Sequence, residues 1–449
     1  MTPSNTGFKL DIHDQRDALY AELHSRPFQT IPSPSKIGYL AVMITPDQKA
    51  AEFQNFQRLY EYFGVVPPEE DSMCTVVEFD GFKVRREKHF EFTTYMVIDE
   101  TNACVKPFVD NALSLLPEEW IASLPGKVIA SFHIEVGDVR ACPEPSLQDV
   151  KGYFEGMRLI GSQPQNGDAQ VWTSFQIHSD GCARFLIYNR NMSDSQLGRL
   201  ILRLIEIETY RLMALLSLPL ARRYNAELGT MDQSLAEVTA RLSESKEELD
   251  EPKLLAQLID MASWVEAARA KTTFRFSATQ AYYDLVTSRL GALKEDEVSG
   301  HLTINEFMTR RLSPAVSTCQ ATSSQLESLS RRIDRVSDMM RTRVELSIQA
   351  QNQDLLTSMD KRSEIQLMMQ HTVEGLSVAA ISYYTVGLIK FLIVALYDSG
   401  VQFDKNIAVG LSVPFVIAGV WYATRRIHRR FLKLAIAQAE AGSKKASKD

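Results

Sequence analysis

Two neighbouring apolar runs constrain this chain more than anything else in it. Leu376 to Tyr397 (LSVAAISYYTVGLIKFLIVALY) and Ile407 to Thr424 each come to roughly the twenty residues an α-helix needs to cross a hydrocarbon core. Only the link DSGVQFDKN separates them. They predict a two-helix transmembrane hairpin, with spans at 376–397 and 407–424 inside a membrane region 373–424.

The charges around the hairpin give it a direction. The densest basic run, RRIHRR (Arg425–Arg430), follows the second span and opens a basic tail over 425–449, whereas the link carries Asp398, Asp404 and a single Lys405. Basic flanks mark the cytoplasmic side, so both termini are expected inside. The opening MTPSNTGFKLDIHDQRDAL has no basic region followed by an apolar core, and no signal peptide is expected there. A formal charge of −7 over 449 residues argues against a nucleic-acid partner. The five cysteines are widely spaced and without a CxxC, which suggests neither a disulfide framework nor a zinc ribbon and suits a reduced cytosol.

The region before the hairpin is long enough for one large or two smaller cores. Residues 1–36 are polar and proline-punctuated (HSRPFQTIPSPSK) and read as an extended arm. Over 37–190 the signals alternate. IGYLAVMI (Ile37–Ile44) predicts a buried strand, and Asp47–Phe63 an amphipathic helix. Cys74–Phe79 and Phe82–Arg86 flank an Asp80-Gly81 turn, and Phe90–Ile98 and Lys127–Val136 predict further strands. A helical piece is expected near Val105–Leu116, and a hairpin joins Val171–Ile177 to Ala183–Tyr188. The class is α+β with a mostly antiparallel sheet.

From 191 to 313 the pattern turns all-helical, opened by a capping box at Ser193 and Gln196. Its run LMALLSLPLARRY is about ten apolar residues behind Arg203, Glu206, Glu208 and Arg211, too short and too charged for a span, so it predicts a buried core helix. Between Pro314 and about 372 there is a single long helix. Leu326, Leu329, Ile333, Val336 and Met340 form a coiled-coil seam along it; the alternative is packing on helices of the same chain.

Several clusters of side chains could bind something. The arm gathers His24 and Arg26 (ELHSRPF), a set able to clamp phosphate or carboxylate. His133 and Glu135 lie two apart on a strand and share a face; His178 and Asp180 sit at a turn. Each pair offers two metal ligands where a site needs three or four, so no metal and no cofactor is expected. Glycine-rich phosphate loops, GxSxG and HExxH are absent from the sequence. Within the first span Tyr383, Tyr384 and Lys390 are functional candidates, since polar and ionisable groups in a span are costly.

Three stretches, ELHSRPF, RLIEIETYRLMALLSLPLAR and QHTVEGLSVAAISYYTVGL, resemble domain-of-unknown-function family 3422, a bacterial family of membrane-anchored proteins. The resemblance implies a whole-chain architecture but no residue roles. The layout alone is also similar to CorA-type magnesium channels, although Tyr397-Asp398-Ser399-Gly400 stands where that family has Gly-Met-Asn. The expectation is a protein of the bacterial inner membrane that displays a cytosolic domain for interaction, sensing or scaffolding. Its expected partners are the lipid bilayer, a second copy of itself and an unidentified protein. A CorA-like channel and a membrane-tethered enzyme using His24, Arg26, His133 and Glu135 are the alternatives.

Overall fold

The computed structural model describes residues 13–17, 19–20, 29–100, 106–244, 250–400 and 404–446. The chain divides into two units, Met1–Asp338 and Met339–Asp449.

The first unit is built on a mixed sheet. Its strands are β1 (Ser35–Met43), β2 (Cys74–Phe79), β3 (Phe82–Lys88), β4 (Phe92–Asp99), β5 (Lys127–Asp138), β6 (Ile160–Gln163), β7 (Ala169–Thr173), β8 (Ala183–Asn189) and β9 (Glu295–Glu297). Among the described residues the order is β2-β3-β4-β1-β5-β8-β7-β6-β9. Neighbouring strands in this order run antiparallel, except β5 with β8, which is a parallel pair. The mostly antiparallel α+β class read from the sequence is what the fold has. At the β2–β3 turn Gly81 takes φ 86°, the left-handed angle that Asp-Gly hairpins favour.

Alternation along the central strands sends side chains to two faces. One face carries Ile37, Tyr39, Phe132, Ile134, Phe185 and Ile187 into a large core. Helices α4 (Asp194–Leu215) and α6 (Glu251–Leu293) and the start of α7 (Ile304–Asp398) cover it with Leu197, Ile201, Leu204, Val286, Leu290, Ile304 and Met308. Sheet and helices therefore share one core. The opposite face has two smaller apolar clusters. Leu40, Val84, Tyr95 and Val97 pack under α1 (Lys49–Tyr62) and α2 (Glu118–Ala122), while Leu186, Tyr188 and Trp172 pack under α3 (Leu147–Tyr153).

Local signals account for many boundaries. Ser193 Oγ accepts from the Gln196 N–H while the Gln196 side chain accepts from the Ser193 N–H, so the expected capping box forms. The run LMALLSLPLA is core: Met213, Ala214, Ser217 and Ala221 are buried in α4, its exit and α5 (Leu218–Glu244).

Other boundaries differ from the sequence reading. Pro314 does not break a helix; α7 starts at Ile304 and runs through it, held by the buried Leu312 and Val316 on either side. In 106–116 only a 3-10 turn, Ala112–Leu115, is helical, because this segment spends its backbone groups on the sheet beneath. The helical stretch also returns one strand, β9, which pairs β6 through Ser162 with Glu297 and Gln163 with Asp296. Cys142 is disulfide-bonded, although the cysteine spacing suggests no disulfide framework.

The seam residues Leu326, Leu329, Ile333 and Val336 are buried inside the first unit. Arg269–Glu327 (3.2 Å) and Arg332–Asp232 tie α7 to α6 and α5 beside them. This is packing within one chain, the alternative to an intermolecular coil.

The second unit consists of the remainder of α7 and of α8 (Lys405–Ala446). Both helices contain segments long and apolar enough to cross a membrane, with mean hydropathy 1.9 and 1.8 over the best window. Their apolar side chains face outward: Leu388 is 66% exposed and Phe391 76%.

Candidate functional site

Between the two apolar clusters on the second sheet face runs a polar seam. The register places Lys36 opposite Glu135 and Gly38 opposite His133 on β1 and β5, then His133 opposite Arg184 on β8. All four polar side chains share this face and all are buried. The segment 106–113 straps over them. Phe108, at φ 64°, donates its N–H to Glu135 Oε1 (3.2 Å), and Lys36 Nζ donates to the Asp110 carbonyl (2.9 Å). The Arg184 guanidinium lies 5.1 Å from the Phe108 ring centre. Gly38 is required beneath the strap, since a Cβ there would sit 2.8 Å from the Leu113 backbone nitrogen.

Burial sets the protonation of this seam. Desolvation pushes the Glu135 carboxyl up to about 7, against the opposing pull of Lys36 and the Phe108 N–H. Glu135 opens on a cavity of about 420 Å³ whose wall includes Lys36, Lys106, Glu144, Tyr153 and Tyr188. A carboxyl that titrates near neutrality beside two lysines can take or give a proton to a ligand in that space.

Burial pushes His133 the other way, below its ordinary value, so its imidazole is neutral at pH 7. Its Nδ1 is buried without a hydrogen-bond partner. Ligand atoms of His133, Asp180 and Cys182 lie within 4.8 Å of one another. Three donors are one short of a closed tetrahedral zinc site. Asp180 is also committed, with one oxygen accepting from the Cys182 N–H (3.0 Å) and the other from Arg184 Nη2 (2.8 Å). Burial of Asp180 acts to raise its pKa, but these bonds bring it below the usual carboxylate value. Burial pushes the Cys182 thiol up, away from the thiolate a nucleophile or metal ligand needs. As it stands the group is a hydrogen-bonded network anchored on Arg184, which also donates to the Tyr153 carbonyl (2.7 Å) and pairs with Glu155 (3.2 Å).

Of the residues singled out in the sequence, His133 and Glu135 share a face as their spacing requires. His24 and Arg26 lie outside the described residues. His133 meets Asp180, its counterpart from the second pair, and not His178, whose Nε2 contacts Ser174 Oγ (3.1 Å). Lys36, Cys182 and Arg184 carried no sequence signal; strand register alone assembles them. In the second unit Tyr383 and Tyr384 are 78% and 71% exposed, and Lys390 is exposed too.

The sequence model of a family described as "Protein of unknown function (DUF3422)" matches residues 11–431. The chain belongs to the DUF3422 family. That match runs through the sheet, the helices and both apolar segments. A search of curated proteins finds no match to this DUF3422 chain.

Proposed function

We propose that this DUF3422 chain is anchored in the bacterial inner membrane by 376–397 and 407–424, and that it self-associates there. Its first unit would be presented in the cytosol for interaction or sensing. The observation that carries the reading is the outward exposure of Leu376, Leu388, Phe391, Leu392, Leu411 and Phe415, an apolar surface that water does not tolerate at this extent. The basic residues after the second segment support termini on the cytoplasmic side. Self-association draws support from Ile348, Leu355, Met359, Ile365 and Met369 of α7, all more than half exposed. One observation pulls against a cytosolic first unit: disulfides such as that of Cys142 are rare in a reducing cytosol.

Fractionation tests the anchor. The full chain should remain with membranes through an alkaline wash; release by that wash refutes the anchor. A carboxyl-terminal reporter active outside the cytoplasm refutes the topology.

A second reading, a membrane-tethered enzyme, is favoured by Glu135 alone, a near-neutral carboxyl on a cavity. It requires that ligand turnover follow a single ionisation near pH 7 and vanish in Glu135→Gln.

A further inference from the structure

Away from the Glu135 seam, the first unit has a second concavity of about 210 Å³. It lies between Arg158 ahead of β6, Ser174 and Gln176 after β7, and Phe307, Arg310 and Arg311 near the start of α7. Three guanidinium groups line it and no carboxylate does. Several arginines elsewhere in this unit are neutralised: Arg190 pairs with Glu144, Arg211 with Glu208, Arg275 with Glu91 and Arg289 with Glu206. Among the described residues Arg158, Arg310 and Arg311 have no such partner, in a chain whose net charge is −7. Gathering three like charges around one small space raises their mutual repulsion, and an anion in that space relieves it.

The surrounding backbone is built to hold this wall. Phe175 adopts φ 50°, a conformation costly for a bulky residue, and its ring stacks on Phe307 at 5.0 Å and 11°. That stack fixes the loop carrying Ser174 and Gln176 against the helix carrying Arg310 and Arg311. The buried Ser174 hydroxyl is held by the Gln176 N–H (3.2 Å) and His178 Nε2 (3.1 Å).

We propose that this cavity binds a phosphate group carried by a small molecule, either a soluble phosphate monoester or a phosphate-monoester lipid headgroup. One guanidinium fork satisfies a carboxylate, whereas a doubly charged oxyanion with three free oxygens can use all three. The volume falls below the roughly 300–1,000 Å³ of cavities that enclose larger ligands, so it admits a phosphate with a few attached atoms. This site is independent of the membrane anchor.

The test uses the full-length protein in neutral detergent, titrated by calorimetry with inorganic phosphate, glycerol 3-phosphate and, for comparison, acetate at constant ionic strength. Saturable phosphate binding is expected, with acetate weaker. Removing one guanidinium from the oxyanion's surroundings should weaken binding about tenfold. Arg158→Gln and the double variant Arg310→Gln/Arg311→Gln report this weakening, while Arg332→Gln, paired elsewhere, leaves binding intact. These arginines are exposed, so unchanged melting curves will show that the variants fold. Arg310→Lys/Arg311→Lys should retain part of the affinity, as point charges without the fork. Adding phosphatidic acid to the detergent distinguishes the sources. Loss of phosphate binding identifies the headgroup as the ligand, and persistence identifies a soluble ester. Absence of saturable phosphate binding, or binding equal in the wild type and all the Gln variants, overturns the proposal.

Discussion

Two helical stretches of similar apolar character meet opposite fates in this molecule. In α4, Ile207 and Met213 are 1% and 0% exposed, sealed against the sheet and α6. In the later part of α7, Leu388 and Phe391 lie open. The first stretch is interrupted by charge on one side, so it has a core face and a wet face: Arg211 closes on Glu208 at its edge. The second carries a single charge, Lys390, and is otherwise uncharged on every side, and a helix of that kind must be covered by something other than water. Apolar content therefore does not decide the environment; its distribution around the helix does.

The sharpest way to break this comparison is to remove the second unit. A chain ending at Asp338 should move entirely to the aqueous fraction, and its retention in membranes would place the anchor elsewhere. Next in size, Leu204→Ala in α4 should destabilise the first unit by about 2–5 kcal/mol, the cost of a buried cavity. Leu388→Ala, on the exposed surface of α7, should leave that unit's denaturation midpoint unchanged; equal losses would mean that both sites are core.

The third effect depends on pH. The Glu135 carboxyl stands at about 7 in the fold against an ordinary 4.5, so the folded state prefers the protonated form. Its contribution is fully favourable below about 4.5 and is lost as pH rises through 7. The penalty at higher pH is on the order of 3 kcal/mol. Glu135→Gln should therefore raise the melting temperature relative to wild type at pH 8, with the advantage fading toward pH 5. Comparison with the wild type at each pH separates this from His133, whose depressed value withdraws stability as pH falls below about 6.5. A difference between Glu135→Gln and wild type that does not vary with pH would remove the buried carboxyl from the account.

The smallest effect concerns the start of α7. Glu295 of β9 accepts from the Ile304 and Asn305 N–H groups (3.1 and 2.6 Å), capping the helix from a neighbouring strand. Glu295→Ala should cost about 1 kcal/mol in thermal denaturation of the first unit.

These particulars show how far the residues alone could be read. Ile37–Ile44, the Asp80-Gly81 turn and the Ser193 cap each carry their own local signal, because period, turn chemistry and capping act within a few residues. The EDE segment of β9 has no strand propensity and becomes a strand only because β6 offers an edge. Pro314 carries a strong breaker signal that packing of Leu312 and Val316 overrides.

The candidate sites divide the same way. That His133 and Glu135 share a face follows from a period of two. That Lys36, Arg184, Asp180 and Cys182 join them follows from the register of β1, β5 and β8 and from the turn before β8, contacts separated by up to about 150 residues of chain. The three arginines of the second cavity come from two segments equally far apart.

By itself, then, the sequence determined the order of α+β, helical and apolar segments, and the two stretches that water cannot cover. Hydrophobic period and run length are properties of neighbouring residues, legible without a fold. Only the tertiary structure decided that the seam from Leu326 to Val336 turns inward, that Glu135 is held near neutrality, and that Arg158 faces Arg310 and Arg311 across one cavity. Desolvation and charge clustering exist only once distant segments are brought into contact.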